Sequence, residues 1–195
     1  GPETLFCIAS LSKIVAAVGT MMLVDRGLVV LDEPVTCYLR DFRMTGGEAW
    51  RKITVRMLLN HSSGLPGTHF ADVLTVVPVA GYAAQVQQSL TRQRLKHAPG
   101  EMAVYCNDGF ALIERLVAEV TGQAYVDFVL KEILEPLGMR RTRFALERFA
   151  PGSFAPGLDG AGRPEPQEYV NVYAGGLFST PGEVARLAMM FLNEG

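Results

Sequence analysis

The sequence predicts an α+β chain in which helices dominate, and three observations lead there. Ile14, Val15, Val18, Met21, Met22 and Leu23 recur at helical spacing, and Phe110, Leu112, Ile113, Leu116, Val117 and Val120 do so again. A strand-like apolar run over 5–8 and an extended one over 102–104 add the β component. The 195 residues suffice for one domain with a core, and 49% apolar against 19% charged residues is the balance of a globular chain. A net charge of −2 gives no basic footprint for nucleic acid and no polybasic patch for a membrane surface.

The elements follow in chain order. The helix after Ser10 ends where Gly27 occupies a C-cap position. Its apolar run over 14–24 is interrupted by Gly19 and Thr20 and is too short to span a bilayer, so it reads as a core helix. Asp32-Glu33-Pro34 makes a turn before a short amphipathic piece through Tyr38 and Leu39. Thr54 N-caps a short helix carrying Val55, Met57, Leu58 and Leu59, which His61-Ser62-Ser63-Gly64-Leu65-Pro66 ends. Residues 67–99 form a variable excursion, read as a lid or substrate wall or, equally, as a pair of surface helices. Gly122 closes the helix that begins near Phe110, and a further helix over 125–134 stops at Glu135-Pro136-Leu137-Gly138. Residues 150–168 are a long Pro- and Gly-rich loop. Thr180-Pro181-Gly182-Glu183 is a capping box that starts a last helix packing Val184, Leu187, Ala188, Phe191 and Leu192.

The candidate chemistry begins at Ser10 and Lys13. Three residues apart at a helix start, they share one face about a turn apart, pairing a hydroxyl nucleophile with an amine that can hold its proton. The helix N-terminus favours an oxyanion forming there. The spacing alone is also that of an ordinary helix start with Ser10 or Ser12 as N-cap. Cys7, Cys37 and Cys106 are odd in number and lack metal-type spacing, which suggests neither a disulfide framework nor a zinc site and favours a reducing compartment. No signal peptide is visible; cytoplasm and periplasm both stay open.

Four stretches resemble the serine β-lactamase and penicillin-binding-protein superfamily, in particular its branch of class C β-lactamases, D-alanyl-D-alanine peptidases and family VIII esterases. They are Phe6-x-x-x-Ser10-x-Ser12-Lys13, the run from Ile53 to Pro66, the run from Pro99-Gly100 through Tyr105-x-Asn107-x-Gly109 to Glu135-Pro136-Leu137-Gly138-Met139, and Ala174-Gly175-Gly176-Leu177-x-Ser179-Thr180. The resemblance implies a β-lactamase/transpeptidase-like fold: a single partial domain over 1–195, its helical subdomain beside part of an antiparallel sheet. It also implies an acyl-enzyme mechanism. Ser10 attacks the carbonyl, Lys13 and Tyr105 share the proton, and Asn107 positions Lys13 and the acyl amide of the substrate. The Ser10 N–H supplies half of an oxyanion hole.

Two departures qualify that expectation. The family's third motif, Lys-Thr-Gly or His-x-Gly on a strand, does not follow Asn107, and Gly175-Gly176 stands too early and leads into a helix. Strands before the nucleophile and a terminal helix are also missing, so the chain reads as the middle of a larger hydrolase with apolar helix faces that favour self-association. Cys106 reads as a small space-filling residue, and His61, His69 and His97 receive no catalytic role. The sequence thus predicts a serine hydrolase without cofactor or metal, acting on a small ester, a β-lactam or a D-amino-acid peptide, with esters preferred. The rival is a penicillin-binding-like module that keeps the pocket residues and binds a ligand or protein partner. Ser10 rather than Ser12 is the expected nucleophile.

Overall fold

The computed structural model describes residues 1–69 and 71–193; Phe70, Glu194 and Gly195 lie outside the described residues. Helix α1 (Ser12–Asp25) buries Val15, Ala16, Gly19 and Leu23, a face spaced by three and four residues. Gly19 lets Phe128 lie against it, since a Cβ there would stand 3.0 Å from Phe128 Cε1. The helix ends as its glycine predicts: Gly27 takes φ +70°, and Leu28 N–H donates back to Leu23 O at 2.9 Å. Helix α2 (Val55–Leu59) is capped by Thr54, whose hydroxyl accepts from Met57 N–H.

Within the 67–99 excursion lie a two-residue strand β2 (Leu74–Thr75) and helix α3 (Tyr82–Leu90). Tyr82, Val86 and Leu90 of α3 are buried in the main core, against α4 (Asn107–Thr121). Gly122, at φ +68°, ends α4 in the left-handed conformation that glycine takes at least expense. The helix expected over 125–134 is α5 (Tyr125–Val129) followed by a wider π-helical turn, Leu130–Leu134, which meets Pro136.

The sheet is small and antiparallel. Strand β5 (Leu177–Ser179) lies between β1 (Phe6–Cys7) and β3 (Arg143–Phe144), with Cys7 and Arg143 both opposite Phe178. A second pair joins β2 to β4 (Tyr169–Val170). Gly175-Gly176 therefore leads into a buried strand, not directly into a helix as the sequence suggests; three residues of β5 intervene before α6 (Pro181–Leu192). The chain is too close to itself there for any side chain: a Cβ on Gly176 would meet Val170 O at 2.7 Å. Beside the sheet, Leu5, Ala145, Phe149, Tyr169 and Phe178 form a second small core, with Phe149 edge-on to Phe178 at 4.9 Å.

Two expectations for α6 are corrected. Thr180 does cap Glu183 N–H, but the Glu183 carboxylate turns away from the reciprocal bond of a capping box. It accepts instead from Arg141 N–H (2.9 Å), Thr142 N–H (2.7 Å) and Thr142 Oγ1–H (2.6 Å), stitching α6 to the turn before β3. Of the five apolar residues expected to pack, only Leu187 is buried, while Phe191 and Leu192 are exposed. Phe191 and Met190 border an open groove of about 790 Å³ along the outer face of α1, whose floor includes Ile14, Val18, Met21 and Met22. Among the described residues no helix is long and apolar enough to cross a membrane.

Replacing Glu183 by alanine leaves the buried Thr142 N–H without its acceptor. Glu183→Ala should lower the unfolding free energy by about 3 kcal/mol in urea denaturation, because bonds to a charged acceptor are among the stronger ones. A loss below about 1 kcal/mol, the range of an ordinary surface substitution, would show that the stitch contributes little.

Candidate active site

The backbone leaves β1 through Ile8, whose N–H donates to Leu177 O at 2.9 Å, and enters a single 3-10 turn over Ala9–Leu11. Ala9 sits at φ +42°, a conformation that disfavours any residue with a Cβ. Ser12 holds it there from both sides: its hydroxyl donates to Ala9 O at 2.6 Å and accepts from Leu177 N–H at 3.0 Å. The strained turn presents Ser10 to the surface.

Two further residues singled out from the sequence converge on that hydroxyl. Ser10 Oγ lies 2.6 Å from Tyr105 OH and accepts from Lys13 Nζ at 3.1 Å. Lys13 is only 7% exposed, and its Nζ stands 5.0 Å from the Tyr105 ring centroid and 5.4 Å from that of Phe110. Tyr105 comes from the extended segment before α4, 95 residues away in sequence. Asn107, two residues on, is adjacent but turned aside. Its amide nitrogen donates to Thr68 Oγ1 at 3.2 Å, and among the described residues it makes no hydrogen bond to Lys13. The adjoining 67–69 segment is fastened at two further points. Cys106 Sγ–H donates to Gly67 O at 3.0 Å, and Asp108 Oδ1 accepts His69 N–H at 2.7 Å.

Groups that the sequence reading passed over complete the surroundings. Glu114, 4% exposed, accepts Ala174 N–H at 2.9 Å, beneath the 3-10 turn Tyr173–Gly175. That turn borders the lysine: a Cβ on Gly175 would stand 3.6 Å from Lys13 Nζ. Burial pushes the Glu114 carboxyl up to about 8, against the lowering effects of the Ala174 and Tyr173 amides and of Lys13. Burial likewise pushes Asp108 up to about 6. His61 lies against Tyr105, ring centroids 4.5 Å apart and the planes tilted by 36°, and is held below the usual imidazole range by burial and, secondarily, by Lys13. Glu114 did leave a trace in the sequence, because it falls between Phe110 and Val117 on the apolar stripe of α4. His61 left none, since its contact is with a residue 44 positions away in the chain.

The arrangement is a hydroxyl between a phenol and a buried amine. Among the described residues no three His, Cys, Asp or Glu side chains gather as a metal site would.

A beta-lactamase family model matches residues 1–195. Penicillin-binding protein 4* of Bacillus subtilis is 31% identical over 158 residues, which cover 76% of this chain and 32% of that protein. The D-alanyl-D-alanine-carboxypeptidase/endopeptidase AmpH of Escherichia coli is 28% identical, with 96% of this chain and 49% of that protein covered. Among solved structures, the D-amino acid amidase of Ochrobactrum anthropi superposes with a TM-score of 0.84 at 28% identity, over 99% of this chain and 56% of that one. The chain thus spans 32% and 49% of the length of these two curated relatives.

The raised carboxyls make stability depend on pH in a definite direction. Glu114 and Asp108 bind protons in the folded state at pH values where the unfolded chain has released them. Their contribution is therefore complete below about pH 4, near the unfolded values, and is lost as pH rises through about 6 and then 8. The melting temperature should fall between pH 5 and 8.5, and Glu114→Gln, which stays neutral and keeps an acceptor, should flatten the upper part of that fall. Calorimetry across this range tests it; parallel curves for the two proteins would mean that Glu114 does not titrate there.

Proposed function

We propose, because the chain belongs to the beta-lactamase family, that it carries a serine hydrolase centre working through an acyl-Ser10 intermediate. The observation that supports this most directly is the short three-way contact of Ser10 Oγ with Tyr105 OH and Lys13 Nζ. Relatives in this family are hydrolases, and the names of two of them place D-configured amides and peptides among their substrates. We therefore put a D-amino-acid amide or peptide, or a β-lactam, ahead of the ester that the sequence alone favoured.

In this mechanism Ser10 Oγ attacks the carbonyl carbon while its proton passes to the oxygen of Tyr105, which acts as the phenolate. The Lys13 amine stands 3.1 Å from Ser10 Oγ, close enough to balance negative charge as it forms there. Collapse of the tetrahedral intermediate releases the amine, which takes the proton back from the same pair. Water then adds to the acyl-serine ester, giving up its proton to that pair, and Ser10 leaves as the free hydroxyl. The Ser10 N–H supplies one oxyanion donor. Asn107, fixed to Thr68, faces the acyl side chain of the substrate rather than Lys13. The reading extends to association of two copies through the apolar groove of α1 and α6, which sedimentation velocity would register as a concentration-dependent mass.

A fluorophosphonate probe followed by intact-mass and peptide mapping tests the centre. A single adduct is expected on Ser10, and none in Ser10→Ala. Ser12→Ala should keep the adduct but lose about 2 kcal/mol of stability, since it releases both Ala9 O and Leu177 N–H. A folded wild-type chain that takes no label would point to a binding module instead, and labelling on Ser12 would overturn the choice of nucleophile.

A further inference from the structure

We infer that His61 is a positioning residue for Tyr105, and that it must be neutral to hold the phenol in reach of Ser10. This rests on the reading above, in which Tyr105 takes the proton of Ser10.

Tyr105 is 52% exposed, so packing alone does little to fix it. Most of what holds it comes from one residue. The imidazole of His61 lies beneath its ring at 4.5 Å, inclined by 36°. On the C-terminal side of Tyr105, Cys106 N–H donates to His61 Nδ1 at 3.2 Å. On the N-terminal side, Val104 N–H donates to His61 O at 2.9 Å. His61 thus grips the backbone on both sides of Tyr105 and supports the ring between. The histidine is itself fixed, at φ +63° in the turn that ends α2 and with Phe110 5.3 Å from its ring.

The bond from Cys106 specifies the proton state. A ring nitrogen that accepts an N–H carries no proton, so His61 is the neutral tautomer with its proton on Nε2. An imidazolium would turn Nδ1–H against Cys106 N–H and place a second cation beside Lys13. The groups that bear on the ring agree. Lys13 of α1 is the charged neighbour, Tyr105 and Cys106 are the titratable ones on the segment leading into α4, and burial adds to the same preference. Acid should therefore release Tyr105 by protonating His61, at a pH below the usual imidazole range.

The test measures the rate of Ser10 labelling by the fluorophosphonate from pH 4.5 to 9, alongside NMR titration of the histidine and tyrosine ring signals. Three proteins are compared: wild type, His61→Phe and His61→Asn. In the wild type the rate should fall on the acid side with the midpoint of the His61 titration. His61→Phe keeps an aromatic face but neither titrates nor accepts from Cys106. It should lose that acid limb and label roughly tenfold more slowly on the plateau, the effect of one backbone hydrogen bond. His61→Asn suits the positive φ and retains an acceptor, so it should fold even where phenylalanine does not. It too should lack the acid limb. A limb of unchanged midpoint in either variant would overturn the inference, because a purely structural histidine would alter the rate and leave the profile's shape alone. If wild type takes no label, the hydrolase reading fails, and the NMR titration decides for His61 by itself. Tyr105 signals that follow the His61 titration sustain the coupling, and signals indifferent to it refute it.

Discussion

A lysine amine held almost out of water is the constraint around which this molecule is arranged. Lys13 has Ser10 Oγ as its hydrogen-bond partner and, among the described residues, no carboxylate within ion-pair distance. Burying an unpaired ammonium is expensive, and the structure offsets it with weaker and more diffuse partners. The Tyr105 and Phe110 rings turn toward it, and a buried carboxyl, Glu114, lies behind the turn that borders it. A close carboxylate would hold the amine more tightly. Aromatic faces and a carboxyl that burial keeps largely protonated hold the amine only loosely, and Ser10 Oγ remains its hydrogen-bond partner.

From that requirement the rest of the local architecture follows. Ser10 must stand over the amine, which the backbone achieves with a strained Ala9. Ser12 supplies the restraint, and because it draws on Leu177 the strand β5 is needed to hold the turn in shape. Strand β5 in turn is secured at its far end, where Ser179 meets Thr142 and Thr142 meets Glu183. Backbone strain at Ala9 is thus balanced by a chain of hydrogen bonds that runs through the three-stranded sheet to the start of α6. The smallness of the sheet, two or three residues per strand, does not make it dispensable.

The sequence made the local parts of this legible and left the distant ones hidden. Helices α1 and α4, the Thr54 and Thr180 caps and the Gly27 and Gly122 stops were readable because each is decided by residues within one or two turns. Ser10, Lys13 and Tyr105 were readable as a set only through the resemblance, since nothing in the residues between them says that positions 95 apart will meet. The readings that needed amending concern partners chosen in three dimensions. Glu183 follows the capping-box pattern yet spends its carboxylate on Arg141 and Thr142, and Asn107 turns to Thr68. Gly175-Gly176 leads to a strand because β1 and β3 lie on either side of Leu177–Ser179 to pair with it. A three-residue strand has no period to detect.

The apolar groove and the candidate centre use opposite sides of the same helix. On α1, Ile14, Val18, Met21 and Met22 line the groove, whereas Val15, Ala16, Gly19 and Leu23 face the core, and Ser10 and Lys13 meet Tyr105 at the helix start. Lys13 Nζ therefore reaches its partners through α4 and the Tyr173–Gly175 turn, none of which borders the groove. Covering it would add stability roughly in proportion to the apolar area removed from water. The contact between Ser10, Lys13 and Tyr105 would not have to change, because Ser12, Glu114 and His61 already fix it from within.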